Sequence, residues 1–237
     1  MAQEFLPGRV AAVRPLAAEI INVTIAAEAL LGVAFEPGAD ILIRFRGADE
    51  TAVERRYSIW QHSAAAGTLD ICVVQHRLGP GSRWAGACAV GAGLEIAPSR
   101  ALPIALDRAA DAHVLFGDET SIAAAEALIG SLPGDAAVQA YFEVDSPARR
   151  WPQRALARPD RVDWVERSGR PGSALLSRLA GQDLPAATGV CAYVTGEAWL
   201  CATLHRHLVR ERGFPAAAVR AMPYWKQSPR ATAALAR

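Results

Sequence analysis

Two short strings carry the side chains best suited to holding a flat, phosphorylated cofactor. The first is Arg55-Arg56-Tyr57-Ser58, at the end of a segment that reads as a β-strand. On extended backbone Arg55 and Tyr57 share a face and Ser58 turns the other way. A guanidinium pairs bidentately with phosphate, a tyrosine ring stacks on a heterocycle, and a hydroxyl or its backbone amide hydrogen-bonds a ring nitrogen. The second string, Gly79-Pro80-Gly81-Ser82-Arg83-Trp84, places small residues before a helix start, where backbone amides can approach a second phosphate oxygen. Together they suit a dinucleotide such as FAD. Taken alone, Arg-x-Tyr-Ser reads equally well as a strand-end ion pair.

Two further strings stand where a buried strand runs into a helix, a corner that docks nucleotides in parallel sheets. They are Phe116-Gly117-Asp118-Glu119-Thr120-Ser121 and Val194-Thr195-Gly196-Glu197. Asp118 or Thr120 could serve there simply as a helix cap. Other chemistries find no support. No Gly-Lys-Ser/Thr follows a glycine-rich run, no His-Glu-x-x-His occurs, and Gly91-Ala92-Gly93 lacks the third glycine of a dinucleotide fingerprint. His205 and His207 are two apart on a predicted helix and cannot readily share a metal. His113 sits in an apolar strand and reads as a core residue, and Asp160, Asp163 and Glu166 read as a solvated edge. Cys72, Cys88, Cys191 and Cys201 are scattered without Cys-x-x-Cys spacing, which predicts buried free thiols.

The elements that must position these groups come in two grammars. Before residue 100 the apolar runs are short and alternating, as in 19–25, 40–46 and 68–74, which predicts antiparallel strands of a barrel. After residue 110, strands at 112–116, 138–144, 162–165 and 190–194 alternate with helices at 120–131, 173–180 and 197–212, which predicts a parallel sheet. The expected architecture is therefore an antiparallel FAD-binding β-barrel over residues 1–103 followed by an α/β nucleotide-binding domain over 104–237.

Composition removes other classes. The chain has 237 residues with 25 Lys plus Arg against 24 Asp plus Glu, so it lacks the field of a general nucleic-acid or polybasic membrane binder. Lys226 is the only lysine. Uncharged stretches such as 57–69 and 184–196 fall short of the roughly 20 apolar residues that span a bilayer, so no integral membrane segment is expected. The N-terminus has no basic region followed by an apolar run, so the expected location is cytoplasmic.

The strings also occur in a telling order. Arg-x-Tyr-Ser at 55–58, His-x-x-Gly-Pro-x-Ser-x-Trp-Ala at 76–85, Gly-Asp-Glu-Thr-x-Ile at 117–122, Thr-Gly-Glu-Ala at 195–198 and Tyr224-Trp225-Lys226 together resemble the siderophore-interacting protein family. Ser121 stands where that family commonly has alanine. The resemblance implies a ferredoxin-reductase-like fold and a ferric-siderophore reductase using FAD and NAD(P)H, with a ferredoxin as another candidate donor. It implies Arg55, Tyr57 and Ser58 at the flavin, His76, Gly79, Ser82 and Trp84 at the pyrophosphate end, and Gly117, Asp118, Glu119, Thr120 and Glu197 at the nicotinamide nucleotide. Trp225 would lie near the flavin, and Lys226, with Arg220 and Arg230 behind it, would meet an anionic ferric siderophore. Two alternatives stay open: a general flavin or ferredoxin-type reductase with another acceptor, and a non-catalytic flavin- or siderophore-binding protein.

Overall fold

The computed structural model of the chain describes residues 4–46, 51–75, 79–98 and 104–227. Within these the chain divides into two compact units. One comprises the residues up to Leu106 together with Ala123–Ser131 and Ala148–Ala157, and the other comprises Asp107–Ile122, Leu132–Pro147 and the residues from Arg158 on.

In the first unit, six antiparallel strands close into a barrel. They are β1 (Leu6–Ala17), β2 (Ile20–Ala26), β3 (Asp40–Arg46), β4 (Ala52–Ser63), β5 (Thr68–Val74) and β6 (Gly93–Pro98), in the order β1-β2-β5-β4-β3-β6. Strict alternation drives the closure: Ile41, Ile43 and Phe45 on β3 and Leu69, Ile71 and Val73 on β5 all point into one core with Val10, Val23, Ile25, Ile59 and Ile96. Helix α1 (Pro80–Ala87) begins with proline in its first turn and buries Ala85 against that core. Arg55 to Ser58 sit in the middle of β4 rather than at its end, because the strand continues through polar Gln61, His62 and Ser63.

In the second unit five strands run parallel in the order β11-β10-β7-β8-β9. They are β7 (Ala112–Asp118), β8 (Ala137–Val144), β9 (Val162–Glu166), β10 (Val190–Glu197) and β11 (Val219–Trp225). Every residue of β10 is buried, as expected of a strand covered on both faces. Helices α3 (Ser173–Ala180) and α4 (Ala198–Arg210) pack Leu175, Leu179, Leu200, Leu204 and Leu208 into its core. Helix α2 (Ile122–Gly130) follows β7 directly, and from Ala123 on it is compact with the barrel unit. Strand β11, which periodicity alone did not mark, carries Pro223 at a sheet edge, where a missing amide donor costs nothing. The four thiols are free; Cys191 and Cys201 are buried, whereas Cys72 and Cys88 are only half-buried. His113 is buried with Nδ1 3.3 Å from the Tyr193 hydroxyl, a partnered core residue. No described helix is long and apolar enough to cross a membrane.

Gly172 opens α3 with φ of 90°, and a Cβ there would lie 2.8 Å from the Cβ of fully buried Leu200. Gly172→Ala therefore combines backbone strain with a core clash. It should lower the unfolding free energy by about 1–3 kcal/mol in chemical denaturation, and a loss below about 0.5 kcal/mol would contradict the packing described.

Candidate functional site

On β4, Arg55 and Tyr57 share the face expected from the strand period, with Arg56 on the other. The two neighbouring arginines have different tasks. Arg56 donates to buried Asp40 at 2.8 Å and so ties β4 to β3. Arg55 is exposed, its Nη1 donates to the Glu54 carbonyl at 2.6 Å, and it pairs with no carboxylate among the described residues. Ser58 is half-buried opposite Asp40 on β3.

The start of α1 lies against this face. A Cβ on Gly81 would fall 2.4 Å from the Tyr57 hydroxyl and 3.4 Å from Cγ of Arg55, so only glycine leaves room for both. Burial pushes the Tyr57 hydroxyl above its ordinary range, with the Arg55 charge opposing. Gly79 caps α1 with no side-chain hydrogen bond, which leaves the first-turn amides of Gly81 and Ser82 without an intrahelical acceptor. Trp84 turns inward: its ring stacks on Phe45 at 4.7 Å and stands 6.4 Å from Tyr57, so it supports the tyrosine from the barrel side. His76 lies outside the described residues. An uncommitted guanidinium, an aromatic ring and uncapped amides around a side-chain-free position form a set that fits a flavin dinucleotide.

The carboxyl edge of the parallel sheet gathers a second set. Asp118, at the end of β7, is fully buried and accepts four hydrogen bonds: from the Thr120 amide at 2.9 Å and hydroxyl at 2.5 Å, the Glu197 amide at 2.9 Å and the Trp225 indole at 2.9 Å. Glu197 caps α4, accepting from the Trp199 amide at 2.5 Å and the Leu200 amide at 3.2 Å, while its other oxygen accepts from the Gln227 amide at 3.2 Å. Thus Asp118, Thr120, Glu197 and Trp225, singled out separately in the sequence, form one cluster. Close approach dictates its glycines: a Cβ on Gly117 would meet Ser121 Oγ at 2.0 Å, and one on Gly196 would meet Asp118 at 2.6 Å. Ser121 accepts from the Asp118 amide at 2.8 Å and closes the turn.

Glu119 has partners outside that cluster. Its carboxylate accepts from Arg167 at 2.6 Å and from the Asp145 amide at 2.9 Å, and Arg167 also pairs with Glu143 at 3.0 Å and Asp145 at 3.2 Å. Burial works against the Arg167 charge, yet Glu119 and Glu143 hold its pKa above the ordinary arginine range. Arg167 and Glu143 were not marked by sequence reasoning, since no local spacing links them to Glu119. Of the three basic residues expected at a siderophore, the two described ones stand at different ends of β11. Lys226 is exposed just beyond β11, whereas Arg220 stands near the opposite end of that strand and donates to Asp107 at 2.9 Å. Arg230 lies outside the described residues.

Residues 26–101 match the profile of the siderophore-interacting FAD-binding domain, and residues 110–228 match that of the siderophore-interacting protein family. The chain belongs to the siderophore-interacting protein family. Ferric vibriobactin reductase ViuB of Vibrio cholerae serotype O1 is 29% identical over 182 residues, which cover 74% of this chain and 65% of that protein. The chain thus spans just under two thirds of that curated relative. Among solved structures, a siderophore utilization protein from T. fusca aligns with a TM-score of 0.79 and 25% identity, covering 96% of this chain and 95% of that one. SipS, a siderophore-interacting protein from Aeromonas hydrophila, aligns over 96% of this chain and 100% of its own with a TM-score of 0.76 and 22% identity, a likeness of fold.

Within this family member the Asp118 cluster is pH-sensitive. Burial raises the Asp118 carboxyl to about 6, the Glu119 charge adds to the rise, and the bonds from Thr120 and Trp225 oppose it. The folded chain binds this proton more tightly than the unfolded chain does, so the stabilisation is complete below about pH 4 and is lost as pH rises through about 6. The unfolding free energy of the wild type minus that of Asp118→Asn, from urea titrations between pH 4 and 7, should fall with rising pH and then level off. A difference that is flat or rises across that window would contradict the assignment.

Proposed function

We propose that the protein is a ferric-siderophore reductase, an FAD-dependent oxidoreductase that draws electrons from NAD(P)H and releases Fe(II) from a ferric siderophore in the cytoplasm. The observation that carries this reading is Arg55, without a carboxylate partner among the described residues, beside Tyr57 over Gly81, inside the stretch matching the siderophore-interacting FAD-binding domain. The relative named ferric vibriobactin reductase supports the choice of acceptor. FAD, when bound, supplies the conversion between a two-electron hydride donor and an iron centre that takes one electron at a time.

The protein's own part is positioning. Arg55 would hold a phosphate, the amides at Gly81 and Ser82 would take a second phosphate oxygen, and Tyr57 with Ser58 would meet the ring system. Trp84, braced on Phe45, keeps the Tyr57 ring from swinging inward. At the sheet edge Gly117 and Thr120 stand at the corner where a nicotinamide nucleotide would dock, and Asp118 fixes the Trp225 indole. Lys226 offers an exposed cation for an anionic siderophore. Fe(III) is gripped by hard oxygen donors, and its reduction weakens that grip, so no acid, base or nucleophile is required of the protein. One observation favours a different acceptor: Arg220 is committed to Asp107, which leaves Lys226 as the described cation of the three expected. Faster turnover of quinones or free flavin than of ferric siderophores would select that second reading.

Arg55→Ala should lower the ratio of flavin to protein absorbance after purification by about tenfold, with Fe(II) formation from a ferric siderophore falling in proportion, and Arg55→Lys should restore part of both. Unchanged flavin content in Arg55→Ala would remove Arg55 from the phosphate site.

A further inference from the structure

Within the second compact unit, the loop from β9 to α3 carries a cation that has no part in the clusters described so far. Arg170 is exposed and pairs with no carboxylate among the described residues. Its guanidinium lies over the Trp199 ring, 4.2 Å from the ring centroid. Trp199 stands in the first turn of α4, two residues beyond Glu197, and so beside the corner of the sheet formed by Gly117 to Thr120 and Glu197. A guanidinium stacked on an aromatic face keeps its N–H donors, which lie in its own plane, free at the edge of the stack.

The loop that presents Arg170 is fixed at both ends. Glu143, fully buried near the end of β8, accepts from Nε of Arg167 at 3.0 Å and from the Gly172 amide at 2.7 Å. Between those anchors, Ser173 Oγ donates to the carbonyls of Ser168 at 2.8 Å and Arg170 at 2.6 Å, which closes the turn. Gly172 then packs against Leu200, the residue after Trp199. The backbone under Arg170 is thus docked on the first turn of α4, and only the arginine side chain has to order for the stack to form.

The acids of this rim are already engaged. Asp118 accepts from Thr120, Glu197 and Trp225, and Glu197 accepts from the amides of Trp199, Leu200 and Gln227. Glu119, Glu143 and Asp145 all pair with Arg167. Glu166 ends β9 on the face opposite Val165, whose side chain joins the core under α3 and α4, so it stands across the sheet from Trp199. The two nicotinamide donors differ at one group: a carboxylate suits the adenosine 2′-hydroxyl of NADH, and an arginine suits the 2′-phosphate of NADPH. We infer that the electron donor is NADPH and that Arg170, held on Trp199, selects it by binding the 2′-phosphate. This rests on the nucleotide docking at the Gly117–Thr120 corner, as proposed.

Two measurements on the purified protein, with its flavin as isolated, test this: isothermal titration with adenosine 2′,5′-bisphosphate and with 5′-AMP, and anaerobic bleaching of the flavin by NADPH and by NADH. The bisphosphate should bind about thirtyfold more tightly than 5′-AMP, and NADPH should bleach the flavin at about thirtyfold lower half-saturating concentration than NADH. Arg170→Ala should cut both preferences to about threefold or less by weakening the 2′-phosphorylated ligands, with 5′-AMP affinity within about twofold of the wild type, and Arg170→Lys should keep an intermediate preference. Equal affinity for the two fragments, NADH bleaching at the same or lower concentration than NADPH, or full preference retained in Arg170→Ala would each overturn the inference and leave the reductase reading standing. A flavin that neither nucleotide bleaches would overturn the reductase reading and this inference with it.

Discussion

The carboxyl edge of the parallel sheet is organised around one buried carboxylate. Removing Asp118 from water is costly for a charged group, and the fold offsets that cost with four donors drawn from the turn after β7, from the end of β10 and from the indole on β11. Strand ends that would otherwise fray are thereby tied to one point. The tie imposes its own sequence constraints, because Gly117 and Gly196 approach so closely that any Cβ would collide with Ser121 or with Asp118 itself. The result is a rigid rim on the side of the sheet where nucleotides dock, with Trp225 held rather than free to rotate.

The barrel site obeys a parallel logic with a different currency. There the constraint is steric: Tyr57 reaches its position because residue 81 has no side chain, and it stays there because Trp84 and Phe45 fill the space behind it. Electrostatics sorts the neighbouring arginines. Arg56 is neutralised by buried Asp40, and Arg55 keeps its charge available. A guanidinium without an acid, beside a desolvated ring and uncapped amides, suits a phosphorylated heterocycle better than it suits a structural role.

Much of this was legible in the sequence where local periodicity decides the structure. The runs at Asp40–Arg46 and Thr68–Val74 alternate cleanly and fold as β3 and β5 with those bounds, and α3 likewise spans Ser173–Ala180. The shared face of Arg55 and Tyr57 follows from the strand period alone. What escaped depends on contacts between distant segments. β11 is a short edge strand interrupted by Pro223, so its pattern is weak without its partner β10. The bond between Glu119 and Arg167, 48 residues further on, has no local spacing to announce it. Arg220 likewise looks available until the fold presents Asp107, 113 residues earlier, to its guanidinium.

In the proposed reaction, electrons pass from a nicotinamide nucleotide through a flavin on this chain to siderophore-bound iron. The most direct measurement is an anaerobic visible spectrum of the purified protein, recorded before and after NADH or NADPH and again after a ferric siderophore is added. An oxidised flavin band should bleach with the nucleotide and return as an Fe(II) chelator develops colour. A colourless protein that also fails to take up added FAD, or a bleached flavin that the ferric siderophore does not reoxidise, would contradict it.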